Sequence, residues 1–382
     1  MTKVHYETAE SVLGGHPDKL CDYLADCVLD ACLAVDPTAR VACEVMATQG
    51  HIIVAGEIAC QERINVRQII RQGLINRGYR PRDYKIQVYI QPQSEDIAEA
   101  VIGGQALGAG DQGTVYGYAT DENAGYLPMA VYLANKLVQA IDQDRQAHNN
   151  WPILPDGKVQ ITARYVDDVF DGIETLVVSV QHAEDVSQSL LKAYLHYMII
   201  EPTLKDWGYS ERTQLLVNPS GRFVKGGPGA DTGLTGRKLM VDTYGGLVPH
   251  GGGAFSGKDL IKVDRSGAYL ARWIAKSIVK AGLVKRCLIG LSYAIGQAEP
   301  VMVSVNTYGT SAYSEDQLIE LIGSHYDMTP QGMIDLFSQE GFQFKNTACY
   351  GHFHDEIFPW EKTNEDELRK AVETLEDRTK SH

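Results

Sequence analysis

The 382-residue chain is short of several things that would place it in a class at once. It has no run near the roughly 18 apolar residues that a membrane-spanning helix needs. Its opening "MTKVHYETAESV" also has no apolar signal core. The two absences predict a soluble, cytoplasmic protein with no membrane partner. Positive charge is scarce: 35 Lys and Arg stand against 49 Asp and Glu, a formal net charge of −14. Such a chain repels polyanions as a whole, which argues against nucleic-acid binding and requires any polyanion to meet a local basic patch. The seven cysteines (21, 27, 32, 43, 60, 287 and 349) form no CxxC pair. Several fall on apolar stripes or strands and read as reduced core thiols.

What the chain does have is a pattern that occurs three times. Its length implies two or three domains, because single cores stop growing near roughly 250–300 residues. An amphipathic helix near 18–35 precedes "RVACEVMATQGHIIVAGEIAC", two strand-like runs around a Gln-Gly turn, and then the helical "INVRQIIRQGLIN". The order returns as "MAVYLANKLVQAIDQ", "KVQITARYVDDVFDGIETLVVSVQ" and "SQSLLKAYLHYMII". It returns again as "GAYLARWIAKSIVKAG", "RCLIGLSYAIGQAEPVMVSVNTY" and "SEDQLIELIGSHY". An α+β fold is expected: three similar α/β domains related by pseudo-threefold symmetry, with mixed sheets packed against helices. The expected divisions are 1–101 for the first repeat, 102–125 for a lid and glycine-rich connection, 126–233 for the second repeat and 234–382 for the third. Exchange of segments between domains is allowed.

The connections carry the unusual composition. "GGQALGAGDQG" (103–113) and the stretch 218–266 are rich in glycine, and long loops in compact domains are commonly functional. "QSEDIAEAVIGGQALGAG" reads as a segment that closes over substrates. "GGAFSGKD" satisfies GxxxxGK, but Asp259 stands where a P-loop places a magnesium-binding Ser or Thr, and strand-loop-helix context is missing. Polyanion binding does not need that fold. Arg222, Lys225, Arg237, Lys238, Lys258, Lys262 and Arg265 concentrate positive charge among glycines, against the plainer reading of a solvated basic loop. Asp18 and Asp264 are the hard oxygen donors that fit magnesium shared with substrate phosphates.

"GGHPDKLCDYLADCVLDACLAV" opens a helix with Pro17 at its first position and Asp18 at the positive end of its dipole. Its free N–H groups suit an anion, although good capping alone would explain much of the pattern. Asp18, Asp22, Asp26 and Asp30, spaced by four, read as the outer face. Pairing about Gln49-Gly50 sets Ala42 opposite Glu57 and Glu44 opposite Ala55, so both carboxylates share one face. They are either surface glutamates or a site for a monovalent cation or ammonium group. "PDGK" (155–158) reads first as a turn and second as an Asp156/Lys158 contact pair. "GHFHDEIF" offers His352, His354, Asp355 and Glu356, without a zinc or iron spacing.

Taken together, "GHPDK", "GAGDQG", "GRFVxGGPxxDxGLTGRK", "VDTYGG" and "HGGGAFSGKD…KVDRS" resemble the S-adenosylmethionine synthetases, from "ESVLGGHPDK" to "GHFHDEIFPWE". The resemblance implies a transferase that uses ATP and L-methionine with Mg2+ and K+, as a homotetramer built from two dimers. It sets His16 and Lys19 beside the ATP triphosphate and ribose, and Asp18 and Asp264 on magnesium. Lys158, Arg237, Lys258 and Lys262 clamp the polyphosphate; Asp156 and Lys238 join the substrate site. Phe223 stacks on adenine and Asp231 contacts the ribose. Glu57, Gln93 and Asp111 orient methionine, and Glu44 helps hold potassium. Two positions depart from the bacterial pattern: Gly14 replaces the usual Glu, and Leu260 the usual Pro. A P-loop kinase or ATPase, and a non-catalytic nucleotide-binding scaffold, are the competing classes.

Overall fold

A computed structural model describes residues 2–92 and 107–370. In chain order its main elements are β1 (Val4–Val12), α1 (Pro17–Val35), β2 (Arg40–Thr48), β3 (His51–Ala59), α2 (Val66–Asn76), β4 (Lys85–Gln91), β5 (Gly113–Thr120), α3 (Met129–Ala147), β6 (Ile153–Val166), β7 (Val169–His182), α4 (Gln188–Tyr194) and β8 (Gln214–Val217). After them come β9 (Gly233–Leu234), α5 (Val263–Lys280), β10 (Arg286–Tyr293), β11 (Met302–Asn306), α6 (Glu315–His325) and α7 (Pro330–Phe337).

Among the described residues the strands form three sheets, ordered β4-β3-β2-β9, β1-β6-β7-β8 and β11-β10-β5. The first two are mixed, since β3 runs parallel to β4 and β7 parallel to β8. Each sheet packs against its own helices: α1 on β2, α3 on β1 and β6, and α5 on β5 and β10. The result is a three-domain α+β architecture of sheets and helices. Helix α5 shows why the layers form: Leu270, Ile274 and Ile278 recur on one face and are buried.

Sheet membership does not follow sequence neighbourhood. The first strand, β1, pairs along its whole length with β6, from Val4 opposite Val166 to Val12 opposite Lys158. Strand β5 pairs with β10, and the two-residue β9 returns to β2. The first and third sheets share one apolar core, and the second has its own, built from α3, α4, β6 and β7. All seven cysteines are free thiols and all but Cys60 are buried, as expected. No helix among the described residues is long and apolar enough to cross a membrane.

Candidate functional site

Helix α1 organises the site. His16 is its N-cap, with Nδ1 accepting the Asp18 N–H at 3.2 Å, and Pro17 occupies the first position, where no N–H is needed. The expected outer face of aspartates is corrected by the structure. Asp18, Asp22 and Asp26 are buried and Asp30 nearly so, because each carboxylate accepts backbone N–H groups from segments far along the chain. Asp18 accepts the Leu234 N–H at 3.0 Å, Asp22 that of Gly236 at 2.9 Å, and Asp26 that of Gly257 at 2.8 Å. Asp30 accepts from Phe344 and Lys345 at 2.7 and 3.1 Å. Helical i, i+4 spacing thus places four acceptors in a row, and the glycine-rich loops hang from them.

Around the first rung lies one group of the anticipated residues. Lys238 Nζ is 2.7 Å from Asp18 Oδ2, and Arg237 Nε is 3.6 Å from Oδ1. Burial would raise the Asp18 pKa, but Lys238 and the Leu234 N–H outweigh it and hold the carboxyl below its usual range. Burial, reinforced by Lys238, pushes His16 down to about 3. The imidazole is therefore neutral, and because Nδ1 accepts a hydrogen bond, its proton is left on Nε2 as a donor. Asp156 and Lys158 come from β6, so "PDGK" is corrected from a turn to strand, with irregular register between Ile153 and Gly157. Asp156 accepts the Gly227 N–H at 2.8 Å, and burial raises it to about 6. Lys158 lies 3.1 Å from Glu10. The half-buried Phe223 is fixed through its backbone, whose N–H donates to His182 Nε2 at 3.1 Å. Asp231 is exposed.

Lys19 sits elsewhere. It is fully buried, with its ammonium 2.9 Å from Asp22 Oδ2 and also against Asp242. Asp242 in turn lies 3.7 Å from His352 Nε2, whose Nδ1 meets the Tyr269 hydroxyl at 2.7 Å. Lys19, expected beside the triphosphate, thus has its charge paired with two carboxylates inside the core. The same contacts explain "GHFHDEIF" without a metal, since His352 belongs to this buried network and His354 Nδ1 lies against the Gly351 carbonyl.

A second group forms where 257–259 docks on the other end of the β2 edge. Cys43 N–H donates to the Gly257 carbonyl at 2.9 Å and Asp259 N–H to that of Val41 at 3.2 Å. Asp259 also accepts from Val41 N–H at 2.7 Å and from Lys262 Nζ at 2.8 Å. This residue, which breaks the P-loop pattern, is therefore a docking group, and no helix begins until Val263. Lys258 Nζ is 2.7 Å from Asp264 Oδ2. Glu44 and Glu57 lie on paired strands in the expected register. Burial raises Glu44 to about 7, the Lys258 charge opposes this, and Asp22 and Glu57 add to it.

Asp111 is exposed, with Oδ1 accepting the Gln112 N–H at 2.7 Å, and among the described residues it has no hydrogen bond or ion pair to either group. Gln93 and most of the expected closing segment (93–106) lie outside the described residues. Arg265, counted above among the basic loop residues, is fully buried. At Gly14 a side chain would start 2.7 Å from Arg77 Nη1, so the departure from Glu leaves room that Arg77 occupies.

Asp22, Asp26, Asp242 and Arg265 are the residues whose buried roles sequence reasoning missed. The four-residue spacing of Asp22 and Asp26 ordinarily marks a solvated face, Arg265 read as one more cation of the basic loop, and Asp242 had no signal beyond its place in "VDTYGG". Among the described residues no three His, Cys, Asp or Glu side chains converge on one metal position. The donors are single carboxylates, Asp18 and Asp264, each already beside a lysine. That set suits magnesium arriving with phosphate oxygens, which complete its shell. The arrangement is one of fixed cations and a neutral histidine donor, able to hold an extended polyanion. No nucleophile–base pair is evident in it.

Three family models match the chain in order. Residues 4–99 match the S-adenosylmethionine synthetase N-terminal domain, 106–223 its central domain and 225–362 its C-terminal domain. Together the matches cover far more than half of the sequence, and with them the chain belongs to the S-adenosylmethionine synthetase family, the methionine adenosyltransferases.

Proposed function

We propose that the enzyme joins ATP and L-methionine by attack of the methionine sulfur on C5′ of ATP. The S–C5′ bond forms as the C5′–O bond breaks, and the electron pair leaves with tripolyphosphate. Water then cleaves tripolyphosphate to phosphate and pyrophosphate. The observation that carries this reading is the gathering of Lys238 and Arg237 on Asp18 beside a neutral His16, at the start of a helix. A thioether is neutral and needs no base, so the barrier lies in alignment and in the charge growing on the leaving group. Cations that are already oriented stabilise that charge without reorganising.

In this reading His16 donates from Nε2 to the polyphosphate, and Lys158, Arg237, Lys258 and Lys262 bind it, with Asp156 and Lys238 shaping its entry. Phe223 supports adenine and Asp231 the ribose. Glu57, Gln93 and Asp111 orient methionine. Asp18 and Asp264 would hold magnesium, which when bound neutralises phosphate charge, and Glu44 would help hold potassium. The two groups of residues hang from different loops, an arrangement suited to sites completed across a homodimer, two of which pair into a tetramer. A cytoplasmic setting supplies both substrates.

The test is product analysis. Purified protein with ATP, methionine, Mg2+ and K+ should yield S-adenosylmethionine with one phosphate and one pyrophosphate per turnover. A kinase or ATPase would yield ADP, and a scaffold neither. Methionine-independent ADP as the only product overturns the proposal.

A further inference from the structure

The peptide that carries Lys258 is held from three sides. Gly257 gives its carbonyl to Cys43 N–H at 2.9 Å and its N–H to Asp26 Oδ1 at 2.8 Å. The Lys258 carbonyl accepts from Arg265 Nη1 at 3.1 Å. Gly257 has φ +81°, and a Cβ there would stand 2.0 Å from the Cys43 carbonyl oxygen, so only glycine permits this approach.

Behind the loop, Arg265 and Asp26 form a fully buried, two-pronged ion pair, with Nη1–Oδ1 2.7 Å and Nη2–Oδ2 3.0 Å. Nε donates to the Tyr269 hydroxyl at 2.9 Å and Nη2 also to Thr347 Oγ1 at 3.2 Å. With the bond to the Lys258 carbonyl, every one of the guanidinium's five N–H donors has an acceptor. A buried charge pair is weak as a source of net stability, and its common use is to specify one geometry. Here the geometry specified is that of residues 257 and 258. Arg265 also follows Asp264 directly in α5, so one guanidinium fixes the backbone of Lys258 and the helical turn bearing the carboxylate that meets its ammonium.

We infer that Asp26 and Arg265 are positioning residues for Lys258: they touch no substrate, and they set the ammonium where the leaving group's charge develops. The inference rests on the proposed reaction and on the role given there to Lys258. A donor fixed before reaction helps the transition state more than the bound ground state. Losing its support should therefore lower kcat rather than weaken binding.

The experiment is a double-mutant cycle in the full-length protein. Wild-type enzyme is assayed first; if it makes no S-adenosylmethionine, the proposed function fails and this inference with it. Given activity, Asp26→Asn and Arg265→Lys should each lower kcat by at least about tenfold, with KM for ATP and methionine within about threefold. In a Lys258→Met background the same changes should cost less than about twofold more, because residues acting through one group are not additive. Full additivity, a near-normal kcat, or a loss carried by KM overturns the inference and leaves the reaction standing. If neither variant folds, hydrogen exchange of the wild-type protein decides. Peptides covering 254–258 should exchange at least about tenfold more slowly than those covering 248–253, and equally fast exchange overturns it.

Discussion

The Lys238 ammonium rests 2.7 Å from an Asp18 oxygen, so the carboxylate proposed for magnesium is already neutralised by a lysine proposed to shape the polyphosphate site. In the proposed site Asp18 would hold the magnesium and Lys238 would meet the phosphate that arrives with it. Asp18→Asn should therefore lower kcat by roughly 100-fold or more and raise the magnesium concentration that gives half-maximal rate. Steady-state rates across a magnesium titration measure both, and an unchanged titration midpoint contradicts the role.

Lys258→Met removes the second lysine that is paired with a candidate magnesium carboxylate, at 2.7 Å from Asp264. Because its charge is expected to meet the departing tripolyphosphate, kcat should fall by roughly 100- to 1,000-fold, with the methionine KM little changed. Single-turnover measurement of the adenosyl transfer step checks this. Near-normal transfer would remove Lys258 from the mechanism.

Much of this architecture was legible. The turn at Gln49-Gly50 gave the β2–β3 register correctly, down to Ala42 opposite Glu57, because a glycine between two strand-like runs, here with φ +72°, is a local signal. The capped start of α1 was equally local. The aspartate row was not, because the partners of Asp18, Asp22 and Asp26 lie more than 200 residues away. Nothing near them in sequence distinguishes a buried acceptor from a solvated one. The burial of Lys19 was hidden for the same reason: the short motif fixes where its Cα lies, and the long-range Asp242 decides where its charge goes. "PDGK" has the composition of a turn, and the pairing that draws it into the sheet, of Gly157 and Lys158 with β7 and of Lys158 with β1, comes from distant strands.

Asp30 supplies a prediction in pH. Burial, followed by the neighbouring Asp26 charge, raises its pKa to about 7, although two backbone N–H groups oppose the shift. An aspartate raised on folding takes up a proton, so its stabilising contribution is complete below the unfolded value near 4 and is lost as pH rises to about 7. Wild-type stability should fall across this window more steeply than that of Asp30→Asn, by at most about 1.4 kcal/mol per pH unit. Parallel curves of unfolding free energy against pH would contradict the shift.

Gly233 tests the closeness of β9 to the start of α1. A Cβ there would lie 2.1 Å from the Pro17 carbonyl oxygen, which is backbone and cannot swing away. Gly233→Ala should cost about 1–3 kcal/mol in stability and also lower activity, since the displaced strand leads to Arg237 and Lys238. Denaturant midpoints and kcat measured together check this, and a variant normal in both would show that the contact relaxes freely.

The row of aspartates on α1 also bears on how the molecule is made. Their partners are 214 to 315 residues later in the chain, so the helix that leaves the ribosome among the first elements is among the last to be satisfied. Until the final third is synthesised, α1 carries negative charges that favour water over the core, which keeps its apolar stripe from being buried early with the wrong partner. Contacts across such sequence separations slow folding, and the loops that carry the proposed site stay unanchored until they form. The segments proposed to bind the polyphosphate thus take their final anchorage late, on a helix that was made first.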